Sequence, residues 1–250
     1  MHIHSKYSCD SETTLEEYCE KAIRDGIDII CFSDHIDLNP NDPGCGYYEA
    51  EKHFADFHKI REKYKNKLFV LCGIEFGDPH VYTDEFSKYS ALDYDFILGT
   101  VHFWYQDLYT AHMVLKGIPM ETCFETYWEA VLTAVKYGGF DTFGHLDFPK
   151  RYYGGLLFDR DKISEIYSEM LQRNITLEIN TSSLRKKCPE SMPDKELLSI
   201  YKECGGKYIT FGSDAHRLDE LLFGYEHAKS LIDYFGFEEI YYSGRKAHTL

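Results

Sequence analysis

The chain reads as an α/β protein: strand-then-helix units recur along its 250 residues and imply a parallel sheet of about seven strands that can close into a barrel. An open doubly wound sheet is the alternative. Three observations carry this reading. Short apolar runs rich in β-branched residues lack the alternation of a half-exposed strand, so they belong to strands covered on both faces. Stretches with apolar residues at helical spacing separate them. Nearly every run stops in a group of histidine, aspartate, glutamate or asparagine, which collects polar side chains at one end of the sheet. No linker, charge block or low-complexity stretch divides the sequence, so residues 1–250 are expected to form a single domain.

In the opening segment an extended strand would put His2 and His4 on one face, with Ile3 directed into the packing behind them and Asp10 close enough to turn back over the strand end. Thr14-Leu15-Glu16-Glu17 is a capping box, and Leu15, Tyr18, Ala22 and Ile23 form the apolar stripe of a helix ending at Gly26. Ile27 to Phe32 is a strand that finishes in Ser33-Asp34-His35. The prolines and glycines between Asn39 and Tyr48 predict a loop, and Glu49 to Lys65 a helix with Phe54, Phe57, Ile60 and Tyr64 on one face. Leu68 to Ile74 is a strand ending in Glu75, and Asp95 to Val101 one ending in His102. A helix from Glu121 to Tyr137 closes at Gly138-Gly139, and the short strand after it ends in Gly144-His145-Leu146-Asp147. Asp161 to Arg173 is a helix, Ile175 to Ile179 a strand with Asn180-Thr181-Ser182 at its end, and Pro193 to Cys204 a helix. Tyr208 to Phe211 is a strand leading into Gly212-Ser213-Asp214-Ala215-His216, followed by a helix near Tyr225 to Tyr234 and a last strand from Glu239 to Tyr242.

Composition bounds the function classes. Apolar residues make up 44% of the chain, yet no stretch approaches the roughly 20 consecutive apolar residues that a membrane helix requires. No signal peptide opens it, so a soluble, cytoplasmic protein without a membrane partner is expected. Eight cysteines form no C-x-x-C pair, which argues against a disulfide framework and against cysteine-held zinc. A net charge of −15 opposes nucleic-acid binding, and a small anionic substrate would need local positive charge. Oligomeric state leaves no mark on the sequence.

In barrels the reactive groups sit at the C-terminal ends of the strands. His2, His4, His35, Glu75, His102, His145, Asp214 and His216 all fall at or just after such ends, and Asp10 lies in the loop after the first. Six of the twelve histidines thus share one rim. Taken singly, each is as well explained as a hydrogen-bonded core histidine or a capping aspartate. Taken together, so many titratable groups in one mouth would be desolvated and mutually repelling without metal. Imidazole and carboxylate suit zinc, iron or manganese, and nine ligands suit two or three divalent ions sharing Glu75 or Asp214. His53, His58 and His227 fall on helices and read as surface or half-buried residues. His80, His112 and His248 have no clear place, although His80 or His112 could line the mouth.

His-x-His with its trailing Asp10, Ser33-Asp34-His35, the strand-terminal Glu75, His102, Gly144-His145-Leu146-Asp147 and Ser213-Asp214-Ala215-His216, in this order, resemble the polymerase and histidinol phosphatase (PHP) family over the whole chain. Within it, the run Phe148-Pro149-Lys150-Arg151-Tyr152 and the run Asn180-Thr181-Ser182-Ser183-Leu184-Arg185 are most similar to histidinol-phosphate phosphatases. The resemblance implies a distorted (β/α)7 TIM-like barrel with a trinuclear centre. His2, His4, Glu75 and Asp214 would hold one ion; Glu75 would bridge to a second held by His102 and His145; Asp10, His35 and His216 would hold the third. Asp10 stands where several members carry histidine, which points to a weaker or harder third site. His2 lies one residue from the start of the chain, so the first site depends on how that short segment is held.

The activity implied is metal-dependent hydrolysis of a phosphate monoester, L-histidinol phosphate to L-histidinol and phosphate in histidine biosynthesis, by a metal-bridging hydroxide attacking phosphorus. Glu75, Asp214 and His216 would be its catalytic residues, with a metal-bound water or a protonated side chain near Asp214 or His216 protonating the leaving alkoxide. Guanidinium groups suit phosphate, and Arg151, Arg185 and Arg217 follow strand ends on the reactive side. Phe103, Trp104, Tyr152 and Tyr153 are candidates for the wall that meets the imidazole and amino alcohol. The alternatives are a PHP phosphoesterase acting on a nucleotide or sugar phosphate, a non-catalytic metal-binding scaffold, and an amidohydrolase-type reaction, against which the lack of a strand-end lysine in the motif set counts.

Overall fold

The structure, a computed structural model, describes residues 1–186 and 188–250. Its elements are α1 (Leu15–Arg24), β1 (Ile29–Ile36), α2 (Ala50–Tyr64), β2 (Phe69–Gly77), α3 (Thr83–Ser90), β3 (Phe96–Thr100), β4 (Phe103–Tyr105), β5 (Leu108–Tyr109), α4 (Thr110–Leu115) and α5 (Met120–Tyr137). They continue with β6 (Thr142–Phe143), α6 (Lys150–Tyr153), α7 (Arg160–Gln172), β7 (Thr176–Asn180), α8 (Ser182–Arg185), α9 (Lys195–Glu203), β8 (Tyr208–Gly212), α10 (Tyr225–Phe235), β9 (Glu238–Ser243) and β10 (Lys246–Thr249). Strands β1, β2, β3, β6, β7 and β8 pair in parallel in that order.

The opening segment closes this sheet. Ile3 bridges Ala215 in parallel; the His4 N–H donates to the Ala215 carbonyl at 2.8 Å, and the Ser33 N–H donates to the Ile3 carbonyl at 2.8 Å. Residues 1–4 thus act as a short seventh wall strand between β8 and β1, and the open doubly wound sheet is excluded. The terminus is not frayed: the Met1 ammonium donates to the Phe211 carbonyl at 2.7 Å, and His2 and His4 are fully buried.

Alternation along the strands sorts the barrel interior into layers. At the bottom Cys31, Leu71, Phe96 and Leu98 meet Ile240 and Tyr242 in a small apolar cluster of their own. At the top the same faces present His35 and Glu75, which are register neighbours. A larger apolar cluster lies between the outside of the wall and the helices, and α1 enters it from the Thr14–Glu17 capping box.

Several expectations change here. Ser33, Asp34 and His35 lie inside β1 and Glu75 inside β2, because pairing with neighbours carries each strand past its apolar run. The last expected strand, β9, pairs with β8 only at Tyr208 and Ile209 and then plugs the lower end with β10. The short helices α3, α4, α6 and α8 and the β4–β5 hairpin were not foreseen, since one or two turns leave no period to read. His53 is not a surface residue. It is fully buried, with its ring bonded to the Tyr48 hydroxyl at 2.6 Å.

Candidate metal centre

Glu75 stands at the middle of the mouth with both oxygens engaged. Oε1 lies 2.9 Å from His145 Nε2 and 3.5 Å from His102 Nε2; Oε2 lies 3.0 Å from His35 Nδ1, 3.1 Å from His2 Nε2 and 3.3 Å from His4 Nε2. Asp214, at φ 52° just past β8, turns Oδ1 to 3.3 Å from His4 Nε2 and 3.5 Å from His216 Nδ1. Asp10, whose side chain is 50% exposed, reaches His216 Nε2 at 3.1 Å and His35 Nε2 at 3.8 Å. All nine expected residues therefore meet. Eight of them fall into three groups able to hold an ion, namely His2, His4 and Asp214; Glu75, His102 and His145; and His4, His35 and His216, while Asp10 joins no group and stands beside the third.

Residues that the motifs did not flag orient these side chains. Glu178 accepts from His2 Nδ1 at 2.6 Å and from the His145 N–H at 2.9 Å. Asp37 accepts from His102 Nδ1 at 2.9 Å. Two glycines make room for them: a Cβ on Gly212 would lie 1.9 Å from Glu178 Oε1, and one on Gly77 would lie 2.1 Å from Asp37 Oδ1. Such partners fix the tautomer and aim of metal-binding imidazoles. A signal for both existed in the alternation, since Asp37 lies two residues after His35 and Glu178 two before Asn180.

Electrostatics set the cluster apart from an ordinary core. Burial opposes ionisation of Glu75, yet His35 and His2 beside it hold its carboxyl well below the usual range. Burial likewise pulls His35 down, and Glu75 and Asp37 override it and push it up to about 10. His4 goes the other way, lowered by burial and by the neighbouring His35 and His216 rings. Three buried ring nitrogens, His4 Nε2, His35 Nδ1 and His145 Nδ1, have no well-aligned hydrogen-bond partner. The first two face carboxylates, and imidazole with carboxylate is the donor set that zinc, iron or manganese takes, so the residues fit such ions.

A cavity of about 790 Å³ opens over the group. Arg151 lines it, held by Ser182 Oγ at 3.1 Å and the Tyr152 hydroxyl at 3.2 Å, with its Nε buried and unpaired. Arg185 also lines it and donates to the carbonyls of Ser213 and Asp214, both at 2.7 Å. Arg217 does not join them; its side chain is 75% exposed and pairs with Asp219. Of the expected aromatic wall Phe103 lines the cavity, joined by Tyr109 and Phe148. Tyr152 supports from behind through the Tyr109 hydroxyl at 2.8 Å, while Trp104 and Tyr153 bond elsewhere, to Thr126 and the Ile118 carbonyl. His112 is at the mouth, and His80 is not among the lining residues.

A family model described as the PHP domain matches residues 1–182. The probable histidinol-phosphatase of Clostridium acetobutylicum is 29% identical, with 98% of this chain and 96% of that protein covered. The histidinol-phosphatase of Lactococcus lactis is also 29% identical, over 98% of this chain and 94% of its own length. The crystal structure of the Lactococcus lactis histidinol phosphate phosphatase, complexed with zinc, L-histidinol and phosphate, superposes with a TM-score of 0.85 at 27% identity, covering 99% of this chain and 97% of that one.

Proposed function

The chain belongs to the PHP domain family, and from that premise we propose that it hydrolyses a phosphate monoester, releasing L-histidinol and inorganic phosphate from L-histidinol phosphate. The observation that carries the chemistry is the convergence of eight imidazole and carboxylate side chains, with Asp10 beside them, beneath a cavity that also holds Arg151 and Arg185. The substrate rests on the likeness to a phosphatase whose structure contains zinc, L-histidinol and phosphate.

We read the centre as two or three divalent ions, zinc, iron or manganese. His2, His4, Glu75 and Asp214 would hold one, Glu75, His102 and His145 a second, and Asp10, His35 and His216 a third. Such ions lower the pKa of water toward neutrality and stabilise charge on the phosphoryl oxygens. The protein's own part is geometric. Glu75 joins the groups through its two oxygens, and Glu178 and Asp37 keep His2 and His102 aimed. The guanidinium of Arg151 at the cavity wall binds the phosphate, and the N–H groups of Arg185 not committed to Ser213 and Asp214 reach the same anion. The leaving alkoxide takes its proton from a group on the Asp214–His216 side of the cavity. The aromatic faces of Phe103, Tyr109 and Phe148 meet the organic portion. Arg217, expected with the other arginines, is left out of this site.

Residues 1–250 work as one domain, a reading supported by the larger apolar cluster, whose members run from Ile3 to Phe237. Eight free cysteines suit a reducing compartment, the cytoplasm, and no helix among the described residues is long and apolar enough to cross a membrane. The test is phosphate release from L-histidinol phosphate beside a panel of nucleotides and sugar phosphates, with the metals of the same preparation counted. Preference for histidinol phosphate with two to three equivalents of metal is expected, the stoichiometry of a multinuclear phosphoesterase. Preference for another ester would overturn the substrate, and full metal with no turnover would overturn the enzyme.

A further inference from the structure

Beneath His4 lies a buried pair, Asp34 and Ser8, that belongs to none of the three ligand groups. Three donors converge on the Asp34 carboxylate: the Ser5 N–H to Oδ1 at 2.6 Å, the Ser5 hydroxyl to Oδ2 at 2.9 Å and the Ser8 hydroxyl to Oδ1 at 2.9 Å. A hydroxyl has one proton and two acceptor lone pairs. With its proton committed to Asp34, the Ser8 oxygen meets its other neighbours as an acceptor. One is the His35 N–H at 2.9 Å, and the other is His4 Nδ1 at 3.2 Å.

An acceptor beside Nδ1 requires a proton there. His4 is thereby held as the Nδ1–H tautomer, and its lone pair falls on Nε2. That atom faces Glu75 Oε2 and Asp214 Oδ1, both at 3.3 Å, and has no hydrogen-bond partner of its own. The opposite hydroxyl polarity would put the proton on Nε2 and leave no lone pair directed at an ion.

We propose that Asp34 and Ser8 form a positioning relay in which the carboxylate sets the direction of the hydroxyl, and the hydroxyl sets the tautomer and aim of His4 for metal binding. Glu178 and Asp37 touch their histidines directly, whereas Asp34 acts at one remove. The same serine also holds the His35 N–H, so one hydroxyl ties the His-x-His segment to β1.

This inference rests on reading His4 as a metal ligand, so His4→Ala is measured beside the relay variants. Zinc-loaded protein is titrated with a competing chelator, and the His4 tautomer is read from long-range proton–nitrogen correlations in the zinc-loaded and metal-free protein. In the wild type the His4 proton is on Nδ1 in both states. Ser8→Ala weakens one zinc by about 10–100-fold and lets the metal-free ring shift toward Nε2–H. Asp34→Ala does the same, and Asp34→Asn, whose amide oxygen can take the Oδ1 contacts, recovers most of the affinity. An Nε2–H ring in the metal-free wild type overturns the relay. So does a Ser8→Ala protein with unchanged zinc affinity and tautomer while His4→Ala loses an ion. If His4→Ala keeps every ion, the ligand assignment fails and takes the relay with it.

Discussion

At the lower end of the barrel, Asp141 accepts from the Ile97 N–H at 2.8 Å and from Arg245 Nε at 2.6 Å, and Asp95 accepts from the Cys72 and Gly244 N–H groups at 3.0 and 2.9 Å. At the upper end, Glu75 faces five imidazoles whose nitrogens are crowded at 2.9 to 3.5 Å, and three buried ring nitrogens lack an aligned partner. Both ends bury carboxylates against nitrogen. The difference is satisfaction. A network whose donors and acceptors match holds elements together, whereas one that crowds buried imidazoles around shared carboxylates offers the donor set that divalent ions take. Here the first clamps the β9–β10 hairpin to the barrel, and the second gathers groups able to hold an ion.

The strongest test of that contrast is Glu75→Ala, which should strip metal and reduce phosphate release to background while circular dichroism stays native. Retention of all metals would end the bridging assignment. Asp141→Ala should do the reverse. It breaks the Arg245 pair and orphans the Ile97 N–H, so denaturant unfolding should show a loss of about 3 kcal/mol with metal content unchanged.

Metal uptake should also depend on pH. In the metal-free protein His35 is pushed up from 6.5 to about 10, so at neutral pH its proton must leave before an ion can bind. Apparent metal affinity should therefore rise with pH up to about 10, with protons released on loading, and a pH-independent titration would refute this. The sign for folding is opposite. A histidine whose folded value is raised stabilises the metal-free protein fully below 6.5, and that contribution is lost as the pH rises through about 10.

Smaller effects separate the arginines. Arg151→Ala should raise KM by at least about tenfold, the loss of one charge-assisted contact to phosphate, with metal content intact. Arg185→Ala should raise KM or lower kcat/KM while metal content stays normal, and unchanged kinetics would remove it from the site. Arg217→Ala, on an exposed side chain paired only with Asp219, should leave kinetics within about twofold.

What the sequence determined by itself was chemistry at strand ends. The apolar runs, the Thr14 capping box and the periodic helices specified a parallel α/β fold, and the polar residues at the run ends named nine side chains that the barrel brings together at its mouth, because local spacing settles which face and which end a side chain occupies. What only the tertiary structure decided was long-range pairing. Met1 to His4 reads as an extended segment, and its place in the wall comes only from bonds to Ser33 and Ala215. Asp37, Glu178, Asp34 and Ser8 look like ordinary polar residues until the barrel brings each against an imidazole or its neighbour. Arg151 and Arg217 are equally cationic in sequence, and burial alone separates them. A hydrogen bond between residues 176 positions apart, such as that from His2 to Glu178, leaves no periodic trace along the chain, so it becomes visible only once the sheet has closed.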